Sequence, residues 1–581
     1  MPVSKKSAGL SRRGFLAAGA GALAVTAMGG WTPVYALPSG SSGGATLPEP
    51  PNFPSGIDLT QQAYENWSKE IQLDSVWTAT PKNANDVVTL TNWAHANGYT
   101  LRPRGAMHGW TPLTVVQGAS VAKVILVDTT KHLNGVVVNG GSPATVTAGA
   151  GATLDDITTA LQNDGLGIAN LPAPGVLTIG GALAVNAHGA ALPAEGQSTL
   201  DGHTYGSLSN LVTSLTAVVW NGTEYAERTF TRSDPKIKPL LTALGRTFIT
   251  SVTLQAGPNL RMRCQSYTDI PWTELFAAKG ASGRTFESFV KANGGAEAIW
   301  YPFTEKPWMK VWSVAPTKPA ASREVTGPYN YPFSDNLGDN TADLIGGVTS
   351  GSATTAPTFG SLMYSQTVSG LKSSESADIW GWSKDVQFYI KASTLRLTEG
   401  GGAVITKREN IGKVIHEFAE WFNDRVEYYR DLGEYPLNGP VEIRCCGLDE
   451  QGDVKVATAG GPTISSVRPR QDHPEWDTAI WLNVLGVPGT KGMFAFYREM
   501  EQWMRSHFTG SEYAFRPEWS KGWAFTDAKP YTNGAIISND LPNSYREGVP
   551  GSDNWDTAVA VFNEFDPNRV YSNTFMDQLL P

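Results

Sequence analysis

The pattern of the chain changes once, near residue 260, and that change sets what it can fold into. Before it, helix-like and strand-like stretches alternate. Pro81 and Asn85 open a helix with Val87, Val88, Leu90, Trp93 and Ala94 on one face, ending at Asn97 and Gly98. Residues 100–103 read as a strand and 104–109 as a turn; 121–128, 135–139 and 144–148 are further strands, and 154–163 is a helix. A glycine-rich loop over 175–189 enters a small-residue helix, and 212–219 with 223–229 forms a hairpin around Asn221 and Gly222. Beyond the change the chain is more aromatic. Residues 296–302 and 308–315 alternate like two paired strands, 411–429 is a long helix, and 441–446 and 478–485 are strands. The Gly-, Ser-, Thr- and Pro-rich stretch 316–376 reads as an insertion rather than core. The expected fold is therefore α+β, with an alternating first half and a second half built on a large antiparallel sheet.

Composition removes several classes of function. With 41% hydrophobic and 17% charged residues, 581 residues can bury large cores. Lys and Arg number 45 against 54 Asp and Glu, a net charge of −9, which argues against a nucleic-acid partner. Cys264, Cys445 and Cys446 are too few for a disulfide framework, and the adjacent pair reads as unbridged packing residues. The eight histidines show no metal-ligating spacing, so no metal is expected, and His416 with Glu417 reads as an ordinary helix face.

Residues 11–16 (SRRGFL) precede a small apolar run, 17–28, that ends at Val34, Tyr35 and Ala36. This is the pattern of a twin-arginine export signal cut after Ala36, and the run is too short for about 30 Å of hydrocarbon. A secreted or periplasmic location is expected. Within it, Gly19 to Ala24 satisfies G-x-G-x-x-A, but no strand precedes it to aim backbone amides at a pyrophosphate. Residues 37–56 read as a linker.

Two places carry chemistry. Residues 102–110 (RPRGAMHGW) are a turn of small residues with Arg102, Arg104 and His108, able to converge backbone N–H groups on a diphosphate while the arginines add charge. Glu442 and Arg444 stand two apart on a strand, so both point to one face. There the arginine could stabilise an alkoxide-like oxygen and a buried carboxylate could move protons; a structural ion pair is the other reading.

Segments 77–109, 172–189, 202–212 and 244–253, taken together, resemble the FAD-binding domain of the vanillyl-alcohol oxidase family over roughly residues 57–260. The resemblance implies that FAD is held by Arg104, Gly105, Ala106, Met107, His108 and Gly109 in the first loop, and by Thr178, Gly180, Gly181, Asn186, His188 and Gly189 in the second. Gly206, Ser207 and Ile249 complete the set. It also implies a covalent bond from His108 to the flavin 8α-methyl, although Ala106 and Met107 stand where many members carry glycines. In the second half, 297–312, Glu399 in LTEGGG, 442–446 (EIRCC), Asn483 in WLNVLG and 566–574 are similar to the covalent-flavin bacterial cholesterol oxidases. That likeness implies that Glu442 and Arg444 face the flavin, that Glu297 and Glu399 complete a carboxylate cluster around Arg444, and that Asn483 lies close by. It implies a substrate domain over 261–515 and a segment, 516–581, returning to the FAD domain. Lys521, after Arg516, Pro517 and Trp519, resembles the return segment that closes the flavin site in related sugar-lactone oxidases. Trp300, Trp308 and Trp312 are candidates to line a pocket for a flat apolar ligand.

The expected activity is oxidation of a sterol 3β-hydroxyl by O2 to the 3-ketone and H2O2, with isomerisation to the 4-en-3-one in which Glu297 moves the proton. Transient contact with a membrane surface fits such a substrate. Two alternatives stand beside it: a sugar or aldonolactone oxidase of the same flavoprotein family, and an exported sterol-binding protein without catalysis.

Overall fold

The computed structural model describes residues 47–331, 347–349, 355–391, 394–549, 551 and 553–581. The export signal, the G-x-G-x-x-A string, the linker up to residue 46 and part of the 316–376 stretch lie outside the described residues.

Three sheets organise the described chain. The first has the order β1-β2-β4-β3, from β1 (Asp58–Glu65), β2 (Gln72–Thr80), β3 (Thr100–Arg104) and β4 (Val124–Asp128). Helix α1 (Ala84–Asn97) covers it through Val87, Leu90, Trp93 and Ala94. Its N-cap is Asn83 rather than the expected Asn85, because the Asn83 side chain accepts the Asp86 N–H; Gly98 ends it at φ 66°. The second sheet contains β5 (Val136–Asn139), β6 (Ala144–Gly149), β7 (Leu166–Gly167), β8 (Val212–Trp220), β9 (Tyr225–Thr231) and β10 (Phe248–Pro258), with the order β5-β6-β10-β8-β9 and β7 paired to β10. Helix α2 (Leu154–Asn163) and the short helix Ile179–Ala184 pack in its core, and so do residues from the region 519–580.

The chain's end also grips the start. The Leu101 N–H donates to the Val570 carbonyl (2.8 Å), the Arg102 guanidinium donates to the Tyr571 carbonyl, and Asn573 Nδ2 donates to the carbonyls of Pro112 and Leu113 (3.0 and 3.2 Å).

The third sheet has nine strands: β11 (Arg261–Tyr267), β12 (Gly295–Trp300), β13 (Trp308–Val314), β14 (Arg323–Glu324), β15 (Asp378–Trp382), β16 (Thr398–Thr406), β17 (Val441–Gly447), β18 (Thr478–Gly486) and β19 (Ala514–Pro517). Their order is β14-β15-β11-β13-β12-β17-β18-β16-β19, antiparallel except for β14 with β15. The period of two divides its side chains. Ala296, Ala298 and Trp300, Met309 and Val311, Val441 and Ile443, and Leu482 and Val484 turn to one face, under the helices Ile411–Asp431 and Met493–His507. Glu297 and Ile299, Trp308 and Lys310, Glu442 and Arg444, and Asn483 turn to the other.

The 316–376 stretch is not merely an insertion: it carries the 19-residue helix Thr355–Ser373, whose Phe359 and Leu371 are buried against the sheet region. Its serines, threonines and glycines hid the helical period. No described helix is long and apolar enough to cross a membrane. All three cysteines are buried and unbridged.

Candidate active site

A cavity of about 390 Å³ is lined by residues of all three sheets. One end is a groove between residues 102–111 and 177–188, floored by Ala150, Ala243, Gly245 and Ile249. Small residues are required there by contact: a Cβ on Gly105 would stand 2.1 Å from Thr178 Oγ1, and one on Gly180 3.0 Å from the Ala150 Cβ. Met107, Asn186 and Leu244 take left-handed φ of 55°, 61° and 50°, three strained backbone positions around the groove. The Thr247 hydroxyl, buried at the groove, has no hydrogen-bond partner among the described residues. A groove of this kind, walled by backbone and small side chains with an unsatisfied donor turned inward, fits a flavin dinucleotide.

His108 faces the cavity. Its ring lies 3.7 Å from that of Trp67, with 26° between the planes, and meets Trp110 edge-on at 6.1 Å. Burial, then the nearby charges of Lys521 and Arg396, push its pKa down to about 3, so the imidazole is neutral.

At the other end β17 presents Glu442 and Arg444 side by side, as their spacing predicts. The Arg444 guanidinium stands 3.7 Å from each of three carboxylates, Glu442, Glu399 and Glu518, and donates to Asn483 Oδ1 (3.1 Å). Asn483 Nδ2 in turn donates to Glu518 Oε2 (2.9 Å). Lys521 pairs with Glu399 and lies 4.0 Å above the Trp110 ring. Burial opposes the charge on Arg444, but Glu518, Glu442 and Glu399 more than restore it and hold its pKa above the ordinary value. Burial raises Glu442, and although Arg444 opposes this, Glu399 and Glu297 help carry it to about 7. Glu399 is likewise raised by burial, against the pull of Lys521. Glu518 is buried too, yet Lys521, the His188 hydrogen bond and Arg444 hold it well below the usual carboxylate range.

The rest of the cavity is mostly apolar and aromatic, with Gln366 and Thr367 among its polar lining. Ile299, Tyr301, Trp308, Phe359, Met363 and Leu485 line it near Glu442.

Several expected residues sit elsewhere. Glu297 is opposite Arg444 in strand register, but its Oε2 accepts from the Tyr389 hydroxyl (2.5 Å) and pairs with the buried Lys310 (3.5 Å), and it borders a separate cavity of about 30 Å³. Gly189 borders that smaller cavity as well, packed where a Cβ would stand 2.0 Å from Asn170 Oδ1. Gly206 and Ser207 lie off the main cavity, because Ser207 donates through its N–H and hydroxyl to the buried Asp449, and Gly206 abuts Leu448 and Asp449. Asn186 lines the groove with its backbone while its Oδ1 accepts from Ser465 and Ser466. His188 stacks on Trp481 at 3.9 Å and stands 3.5 Å from Glu518. Arg104, Ala106, Gly109, Thr178, Gly181 and Ile249 all line the groove.

Of the three tryptophans only Trp308 lines the main cavity; Trp312 borders the smaller one, and Trp300 stacks on Trp272 beneath the helices. His416 Nδ1 lies 3.0 Å from the Phe276 carbonyl, a helix-face contact. Glu518 escaped the sequence analysis, and the only signal near it was Lys521 three residues on.

Residues 77–226 match the model of an FAD-binding domain, and 261–581 match the model of the cholesterol oxidase substrate-binding domain. Among solved structures, cholesterol oxidase from Brevibacterium sterolicum is 68% identical with a TM-score of 0.91, over 92% of this chain and all of that one. A histidine-to-alanine mutant of the same enzyme matches equally, and a solvent-stable cholesterol oxidase is 47% identical at the same TM-score and coverage. No curated protein sequence matches. With more than half its length in one family model and a 68%-identical relative matched from end to end, this chain belongs to the FAD-dependent cholesterol oxidase family.

Proposed function

We propose that the chain oxidises the 3β-hydroxyl of a sterol with O2, giving the 3-ketone and H2O2, and then isomerises the 5,6 double bond to the conjugated 4-en-3-one. One observation carries this reading: an aromatic, apolar chamber ends at a cluster of one arginine and three buried carboxylates, beside a groove that fits FAD. A sugar or lactone would find few polar partners along Ile299, Trp308, Phe359 and Leu485. A rigid four-ring hydrocarbon with a single hydroxyl fills such a shape and places its oxygen at the charged end.

Bound FAD supplies the two-electron acceptor that O2 reoxidises. The chain supplies the rest. Arg444 remains charged throughout and lowers the cost of negative charge on the substrate oxygen as its carbon loses hydride. Glu442 lines the chamber with a pKa near 7, suited to taking a proton from carbon 4 and returning it to carbon 6. That role passes to Glu442 from Glu297, whose carboxylate is committed to Tyr389 and Lys310. Glu399 and Glu518 tie Arg444 and Lys521 in place, and Asn483 bridges Arg444 to Glu518.

Anaerobic cholesterol should bleach the flavin absorbance, and O2 should restore it with one H2O2 per ketone. An unbleached flavin with cholesterol, but a bleached one with an aldonolactone, would replace this reading with the sugar-oxidase alternative. A protein that binds sterol without any flavin would leave the sterol carrier.

The neutral imidazole of His108 at the groove is the natural attachment point for a flavin bond. Acid precipitation should carry the yellow colour into the pellet, and His108→Ala should release it. Residues 11–36 support export by the twin-arginine route; Arg12→Lys with Arg13→Lys should retain the protein in the cytoplasm. Sterol delivery by brief contact with a lipid surface completes the proposal, and co-sedimentation with cholesterol-containing vesicles tests it.

A further inference from the structure

We propose that Trp67 is the positioning residue that sets the plane of the His108 imidazole for its bond to the flavin. This rests on the reading above that the bond forms. A histidine in a reactive position ordinarily has its ring held by a hydrogen bond to one nitrogen. Among the described residues His108 makes none, and what holds it is aromatic. The Trp67 indole covers one face at 3.7 Å, and turning the imidazole out of that plane would drive its edge into the indole.

The platform is itself fixed. Trp67 sits in the turn between β1 and β2, where Asn66 Nδ2 donates to the Trp110 carbonyl (3.1 Å) and Asn66 Oδ1 accepts the Ile71 N–H (3.0 Å). The Trp67 N–H donates to the Gly109 carbonyl (3.4 Å), so the turn is stitched to the residues immediately after His108. On the outside, Arg396 lies 5.2 Å from the Trp67 ring and is tied to Glu65 (2.7 Å). The turn lies outside residues 77–226, so the FAD-binding match does not account for it.

The bond joins one imidazole nitrogen to the flavin 8α carbon as one N–H and one C–H bond are lost. The two protons and two electrons released reduce the flavin ring and then pass to O2, the same oxidant the proposed activity uses, giving H2O2. A ring turned from the attacking direction slows this step without preventing FAD from binding.

The test follows total flavin and acid-precipitable flavin over time after FAD is supplied to the wild-type protein and to the Trp67→Leu and Trp67→Phe variants, so that both the extent and the rate of linkage are read. Leucine fills space without an aromatic face; phenylalanine keeps one. Expected are near-equal total flavin in all three, an acid-stable fraction close to wild type in Trp67→Phe, and a rate of bond formation about ten-fold lower in Trp67→Leu. Wild-type linkage in Trp67→Leu overturns the proposal. So does loss of linkage in Trp67→Phe at full total flavin, which serves as the test where the leucine variant does not fold. Absence of acid-stable flavin in the wild type takes away the bond itself, a failure visible without any variant.

Discussion

Arg246 and Arg444 both meet carboxylates, and they do so in opposite ways. Arg246 lies against Asp566, and Asp566 also accepts from the Tyr225 hydroxyl (2.6 Å) and the N–H groups of Val570 and Tyr571 (2.8 and 3.0 Å). Every acceptor position there is used, and neither residue borders the cavity. Arg444 has three carboxylates instead of one, each at 3.7 Å, beyond hydrogen-bond range. A buried arginine with a carboxylate is ordinarily structural. What separates the second cluster is surplus acid, loose geometry and a chamber to receive a ligand.

Mutations at the two clusters should therefore fail differently. The largest effect is expected from Arg246→Met, which strands Asp566 and should cost about 3–5 kcal/mol of stability, read by chemical denaturation. Survival of full stability would make that pair dispensable. Next, Arg444→Met should slow anaerobic flavin bleaching by sterol about 10²–10³-fold while flavin content and unfolding midpoint stay near wild type. If instead it unfolds the protein, the contrast between the clusters collapses. Glu442→Gln should lower isomerisation about 10²-fold. In the wild type the ionised carboxylate prevails only above its pKa, so isomerisation should rise with pH through about 7 and then level off. An unchanged pH profile in the glutamine variant would remove Glu442 from that step. The smallest effect belongs to Asn483→Ala, which deletes one neutral bridge and should cost about 1 kcal/mol, a few-fold in rate.

How much of this could be read from the residues depends on distance along the chain. Glu442 and Arg444 were legible because a strand fixes residues two apart on one face. The strand pair Gly295–Trp300 with Trp308–Val314 was legible from alternation, as were the strands Val441–Gly447 and Thr478–Gly486, though not their pairing with each other. Glu297 was placed beside Arg444 by register, and its charge does reach Arg444 and Glu442, but its own partners Lys310 and Tyr389 come from other segments and were not legible. Glu518 depends on the return of 516–521 along β16, which no local signal announces. The strand Thr398–Thr406 hid behind its glycines, yet packing demands them: a Cβ on Gly401 would stand 2.2 Å from the Leu482 carbonyl oxygen. The hairpin of β1 and β2 escaped because its first strand is mostly exposed and lacks an apolar face.

The grip of the chain's end on its beginning has a consequence in time. Leu101 and Arg102, which lead into the first flavin loop, take partners from Val570 and Tyr571. A growing chain that has emerged through residue 260 holds both loops of the groove but not the carbonyls that fasten one of them. The cofactor groove in its finished form thus exists only after residues 570–573 have left the ribosome. Capture of FAD in that finished groove is an event of the completed chain rather than of the nascent one.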